Sequence, residues 1–147
     1  MAQPITVTDP KAAVREWYSR LSEYCRTVDF DSFEALVSEY VVSFGTKADV
    51  VTGRTPLRRN QWEGIWPNIR DFRINLDSIQ SGGDSQFAWG VATWTSTGFH
   101  EDGTPYPRPG RATTILERIN GKWLSVHTHF SLSPGTPSRT FGAKRRT

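Results

Sequence analysis

The chain has 147 residues, enough for one domain that buries roughly two thirds of its unfolded surface, so neither disulfide nor metal is needed to hold a core. Its 18 basic and 15 acidic side chains give a formal charge of +3, but Arg139, Lys144, Arg145 and Arg146 lie in the last fifteen residues; without them 14 bases face 15 acids, a net of -1. A body of that balance has no overall pull on phosphate backbones, so no nucleic-acid partner is expected unless the basic terminus alone supplies it.

Asp9 or Thr8 can cap a helix with Pro10 at its first position, and Val14, Trp17, Tyr18, Leu21, Tyr24, Cys25 and Val28 then recur at three- and four-residue steps. This predicts a long amphipathic helix. Asp31 followed by Glu34 has the form of a capping box for a second, shorter helix carrying Phe33, Leu36 and Val37. Residues 40 to 44 read as a short strand and 45 to 53 as a loop. Thr55 and Pro56 repeat the cap-plus-proline start for a third helix with Trp62, Ile65 and Trp66, stopped near Pro67.

Past Pro67 the period changes from helical to alternating, with strands expected at 71 to 79, 86 to 98, 111 to 119 and 122 to 132. Ser81-Gly82-Gly83-Asp84 and Asn120-Gly121 are hairpin chemistry, and the loop from 100 to 110 is rich in Pro and Gly. Helices first and an antiparallel meander afterwards argue for an α+β domain over residues 1–134, with the long helix across one sheet face. Residues 135–147 read as a basic, flexible tail, because Pro134, Gly135, Pro137 and Gly142 oppose regular structure. Cys25 is the only cysteine, and there is no leader-like segment and no apolar run near the ~20 residues of a membrane helix. A soluble, cytoplasmic protein without membrane attachment is expected.

On the last strand Trp123, Ser125, His127, His129 and Ser131 alternate to one side, and Leu124, Val126, Thr128, Phe130 and Leu132 to the other. On the strand at 86 to 98 the small residues Ala88, Gly90 and Ala92 share a side with Trp94 and Ser96, which lets a helix or ligand come close.

The pattern DGTPYPR…RATTILERINGKWLSVHTHFSLSPG resembles the end of the SnoaL-like and kinase-association branch of the NTF2-like superfamily, the branch that includes the hub domain of calcium/calmodulin-dependent kinase II. The loop FGTKADVVTG is also similar to the SnoaL-like pattern, and the resemblance covers about residues 12 to 134. It implies a cone, in which a curved, mostly antiparallel sheet wraps around the first helix and leaves a cavity, with homodimers or homotrimers formed through the outer sheet face. It also implies that Trp94, Thr114, Val126, Thr128 and Phe130 face the cavity. In kinase hubs the positions matching Trp94, Thr114 and Phe130 are arginines that give affinity for carboxylates; here all three are uncharged, so a neutral, flat ligand is expected.

The superfamily hosts cofactor-free isomerases, dehydratases and lyases as well as pockets without chemistry, so the site must decide. The ketosteroid isomerase branch places its catalytic carboxylate where this chain has Phe44 or Gly45, which excludes that chemistry in its familiar form; Asp49 is the nearest substitute. Tyr18 is the best candidate donor for a developing enolate, ahead of Tyr24 and Tyr40, and a core tyrosine bonded to backbone is its plain alternative. Trp17, Trp62, Trp66, Trp94, Thr114, Thr128 and Phe130 are the expected substrate-binding residues, and Trp62 and Trp66 could close the mouth. His127 and His129 share a strand face that alternation turns away from the cavity, toward a subunit interface, with a proton relay as the other use of such a pair. They lack an evident third ligand, so no metal is expected, and His129 joins Tyr18 and Asp49 as a catalytic candidate. Together these point to a lyase, dehydratase or isomerase that needs no cofactor and acts on a small neutral aromatic or polyketide-like substrate. The alternative is a non-catalytic oligomerisation or small-ligand-binding module.

Overall fold

The structure, a computed structural model, describes residues 3–142. Helix α1 (Pro10–Thr27) starts where the Asp9 carboxylate accepts from the Lys11 and Ala12 amides. It ends at Val28, whose left-handed backbone returns its amide to the last turn. The buried stripe Ala13, Val14, Trp17, Tyr18, Leu21, Ser22 and Cys25 follows the predicted period. Helix α2 is only Phe30–Glu34 and is capped by Asp29, which accepts from the Ser32 amide and hydroxyl. The expected capping box does not form, because the helix starts at the Asp29 cap and places Asp31 inside its first turn; Arg58 pairs with both acids, at 2.7 Å from Asp31 and 2.8 Å from Glu34. Leu36 and Val37 leave the helix, and Val37 opens strand β1 (Val37–Phe44).

The loop expected at 45 to 53 holds a three-residue strand, β2 (Val50–Thr52). The third helical segment is irregular: α3 (Arg54–Leu57), a π turn (Arg58–Trp62), α4 (Glu63–Ile65) and a 3-10 turn (Trp66–Asn68). A π turn carries one extra residue, and here it sends both Gln61 and Trp62 inward. The strand expected at 71 to 79 is cut short as β3 (Arg70–Ile74) by a 3-10 turn, beyond which β4 (Gln80–Gly83) follows; both pair with β5 (Phe87–Phe99). The turn after β4 lies at Asp84, whose carboxylate accepts from the Gln86 and Phe87 amides, so Ser81 to Gly83 belong to the strand. Strand β6 (Pro105–Pro107) lies inside the Pro/Gly loop, and β7 (Gly110–Ile119) and β8 (Lys122–Leu132) follow. Asn120 and Gly121 both take positive φ, as the hairpin dipeptide requires.

The sheet runs β2-β1-β8-β7-β5-β3, antiparallel throughout except where β1 joins β8. It curves around α1, the α+β cone that the resemblance implies. Contact is closest at Gly90, where a methyl group would overlap Val14 and touch Tyr18. Ala88, Ala92, Trp94 and Ser96 are buried on that same concave side.

Strand β8 departs from simple alternation. Its pairing with β7 shifts between Ile115 and Leu116, where Ser125 and His127 are consecutive partners and Val126 is the extra residue of a bulge. The phase flips there. Trp123 and Ser125 are fully buried ahead of the bulge, and Thr128 is buried after it. Trp123 therefore does not lie on the exposed sheet face: its indole donates to the Val7 carbonyl and its amide to the Ile5 carbonyl. Val126 is half-buried and does not border the cavity.

The segment read as a flexible tail is anchored through Gly142. Thr140 is buried and donates to the Asn68 carbonyl, the Phe99 amide donates to its hydroxyl, and the Tyr106 hydroxyl donates to the Arg139 carbonyl. Lys144, Arg145 and Arg146 lie outside the described residues. Among the described residues no helix is long and apolar enough to cross a membrane.

Candidate functional site

Between the concave sheet face, α1 and the segment from 54 to 68 lies a hollow with about 590 Å³ of unfilled space, its mouth included. The side chains that border it crowd the hollow into a narrow slot. One wall is aromatic. Trp62 and Trp66 lie nearly parallel, 18° apart at 5.6 Å, and Phe33 meets both rings at 4.9 and 5.5 Å. The π turn sets this wall by directing Trp62 inward. Phe130, Thr128 and Trp94 line it from the sheet.

The sequence reading missed the charged residue of the slot. Arg108 is 2% exposed and borders the hollow. Its backbone is fixed by reciprocal bonds with Ser96, from the Arg108 amide to the Ser96 carbonyl and from the Ser96 hydroxyl to the Arg108 carbonyl. The guanidinium lies 5.6 Å from the Trp94 ring centre and donates from Nη2 to Thr46 Oγ1 at 3.1 Å. No described carboxylate forms an ion pair with it. Burial pulls its pKa below the ordinary arginine value, opposed by Tyr106 and Cys25. A guanidinium nevertheless keeps its charge in a protein.

Thr46 is held in turn by Gln61. Gln61 Oε1 accepts from the Lys47 and Ala48 amides, both at 2.9 Å, which fixes the amide orientation so that Nε2 donates to Thr46 Oγ1 at 2.8 Å. Thr46 thus accepts two hydrogen bonds and keeps its own proton to give. Arg108 Nε and Trp94 Nε1 are buried donors without a partner among the described residues. Arg108 thus puts a charge into a lining that was expected to be aromatic and apolar.

Other expected site residues lie elsewhere. Tyr18 is fully buried but gives its proton to the Gly90 carbonyl at 2.9 Å and does not border the hollow; burial raises its pKa further. It is a core tyrosine. Tyr18→Phe is expected to cost about 1 kcal/mol, the usual net value of one such bond, and to leave ligand affinity unchanged. Denaturant melts with binding titrations check this, and a large loss of affinity at intact stability would contradict it. Trp17 packs edge-on against Tyr18 and donates to the Leu36 carbonyl, away from the hollow. Thr114 is on the concave side but is covered completely and also does not border it.

Asp49 and His129 do come together, in an open groove outside the hollow that also holds Lys47. Phe44, Thr46 and Phe130 border both the hollow and this groove, which makes the groove its vestibule. The Phe44 ring meets His127 and His129 edge-on at 5.7 and 5.2 Å. His127 is tied to the Val42 carbonyl at 2.7 Å. Arg111 is exposed and pairs with Ser131 on the face that carries His129. Among the described residues no group of three or more His, Cys, Asp or Glu is arranged to hold a metal.

A family model for the SnoaL-like domain matches residues 12–134. A candidate calcium/calmodulin-dependent protein kinase II association domain from Xanthomonas campestris superimposes with a TM-score of 0.72 at 19% identity, covering 92% of this chain and 97% of that one. A candidate dehydratase of the NTF2-like family from Streptomyces avermitilis gives 0.71 at 16%, covering 84% and 97%. A candidate aromatic ring hydroxylase from Novosphingobium aromaticivorans gives 0.69 at 16%, covering 84% and 88%. At such identities the likeness is one of fold. No curated protein matches the sequence.

Proposed function

The chain belongs to the SnoaL-like family of the NTF2-like fold, and on that premise we propose that it is a cofactor-independent lyase, dehydratase or isomerase acting on a small aromatic or polyketide-like molecule held in the cone. The observation that carries this reading is the continuity of slot and vestibule. A flat ring seated against Trp62 and Trp66 passes Phe44, Thr46 and Phe130 to meet His129 and Asp49, the nearest side chains able to take up a proton. An apolar slot strengthens every polar contact within it, which suits proton abstraction next to a carbonyl. Arg108, which stands in the wall, gives the slot a positive charge that a neutral substrate does not use.

The test is solvent-deuterium exchange, followed by NMR, over a panel of aryl ketones and aryl hydroxy acids. At least one compound should exchange with the wild type, and the double variant His129→Ala/Asp49→Asn should slow it roughly 100-fold or more, the scale of a lost general base. Binding without exchange by any compound would sink the catalytic reading. That outcome would favour a non-catalytic binding module, a reading supported by the lack of any Asp, Glu or His among the residues lining the slot itself. In either case assembly with further copies through the outer sheet face is part of the proposal, since Phe87 and Trp89 are 49% and 47% exposed there.

A further inference from the structure

We infer that the molecule held in the slot is a carboxylate, its head group received by Arg108, Thr46 and Trp94. This rests on the reading of the hollow as a ligand site and names the ligand's chemical class. Three donors lie close to one another at that end of the slot. Arg108 Nη2 touches Thr46, its guanidinium faces the Trp94 ring, and Arg108 Nε and Trp94 Nε1 have no acceptor among the described residues. The Thr46 hydroxyl has both acceptor positions filled by Arg108 and Gln61, which turns its proton outward as a third donor.

A buried cation without a counter-ion is costly to fold around, and the indole face beside it offsets only part of that cost. Binding an anion there removes the imbalance, whereas a neutral carbonyl leaves it in place. No Asp, Glu or His among the described residues lines the slot beside Arg108, so in the resting complex the matching charge comes with the ligand. A carboxylate matches a lone guanidinium in charge and in planarity, and a phosphate brings more charge and more acceptors than one arginine and two donors can meet. The rest of the ligand has to be flat and conjugated, since the space beyond Arg108 is narrow and walled by the near-parallel Trp62 and Trp66.

The experiment is calorimetric titration of the full chain with benzoate and trans-cinnamate, each against its neutral amide. The expected result is that the acids bind roughly 10- to 100-fold more tightly than the amides, the range that charge-assisted hydrogen bonds supply. Arg108→Met should erase that ratio, Arg108→Lys should keep part of it, and Thr46→Val should reduce it. If Arg108→Met fails to fold, the wild-type ratio and the Thr46→Val and Arg108→Lys titrations carry the decision. Amides binding as well as the acids, or acids binding with no dependence on Arg108 and Thr46, would overturn the inference and leave the slot a ligand site of another class. Failure of all four compounds to bind would overturn the ligand site as well.

Discussion

Trp17→Ala is expected to destabilise the fold by about 3 to 5 kcal/mol, the cost of deleting a buried tryptophan from a packed core. Trp17 is completely covered, sits between α1 and α2, and meets Tyr18 and Phe33 at 5.4 Å each. Its indole proton goes to the Leu36 carbonyl, which the Ser125 amide also reaches, so the substitution leaves a cavity without orphaning that oxygen. Domains of this size have roughly 5 to 15 kcal/mol in total, so the variant should melt far below the wild type. Trp17 does not border the slot. At low temperature the folded fraction should therefore bind ligand as the wild type does. A loss below about 1 kcal/mol in denaturant titrations would show that the packing around α1 is wrong.

Gly45→Ala is expected to damage the Thr46 end of the slot. A methyl group there would overlap Gln61 at Cδ and Oε1. Displacing Gln61 breaks its bonds to the Lys47 and Ala48 amides and to Thr46 together. At about 1 kcal/mol net for each, the loss should be roughly 3 kcal/mol. Ligand affinity should fall with it, since Thr46 would lose the partner that turns its proton outward. Introducing Gly45→Ala into a Gln61→Ala background isolates the clash: there the methyl group has room, and its added effect should be close to zero. An equally large effect in both backgrounds would contradict the account.

Helix α1 was legible because an apolar stripe with a three- and four-residue recurrence, an Asp cap and Pro10 all specify the same element. The concave side of β5 was legible because Ala88, Gly90 and Ala92 have no other use than close approach. The phase of β8 was not. A bulge adds one residue without disturbing the alternating letters on either side of it, so Trp123 and Ser125 read as partners of His129 although the shift near Val126 buries them with Thr128. The π turn is equally silent, since its extra residue is specified by how Gln61 and Trp62 pack.

Arg108 escaped notice because an arginine in a stretch of prolines and glycines is most often solvated. Its burial depends on β6 pairing with β5 and on the anchored segment beyond it, where Tyr106 holds the Arg139 carbonyl. The second of these contacts spans 33 residues and cannot be read from local pattern. The prolines on either side of Arg108 were the available signal, since they stiffen the backbone that carries it.

The six tryptophans allow a direct test of where the ligand sits, because each gives one indole N–H signal in a heteronuclear NMR spectrum. Titration with trans-cinnamate, or with its amide should that bind more tightly, should move the signals of Trp62, Trp66 and Trp94 and leave Trp17, Trp89 and Trp123 in place. Shifts confined to Trp89, on the outer sheet face, or an unmoved Trp62 and Trp66 at saturation, would contradict the account.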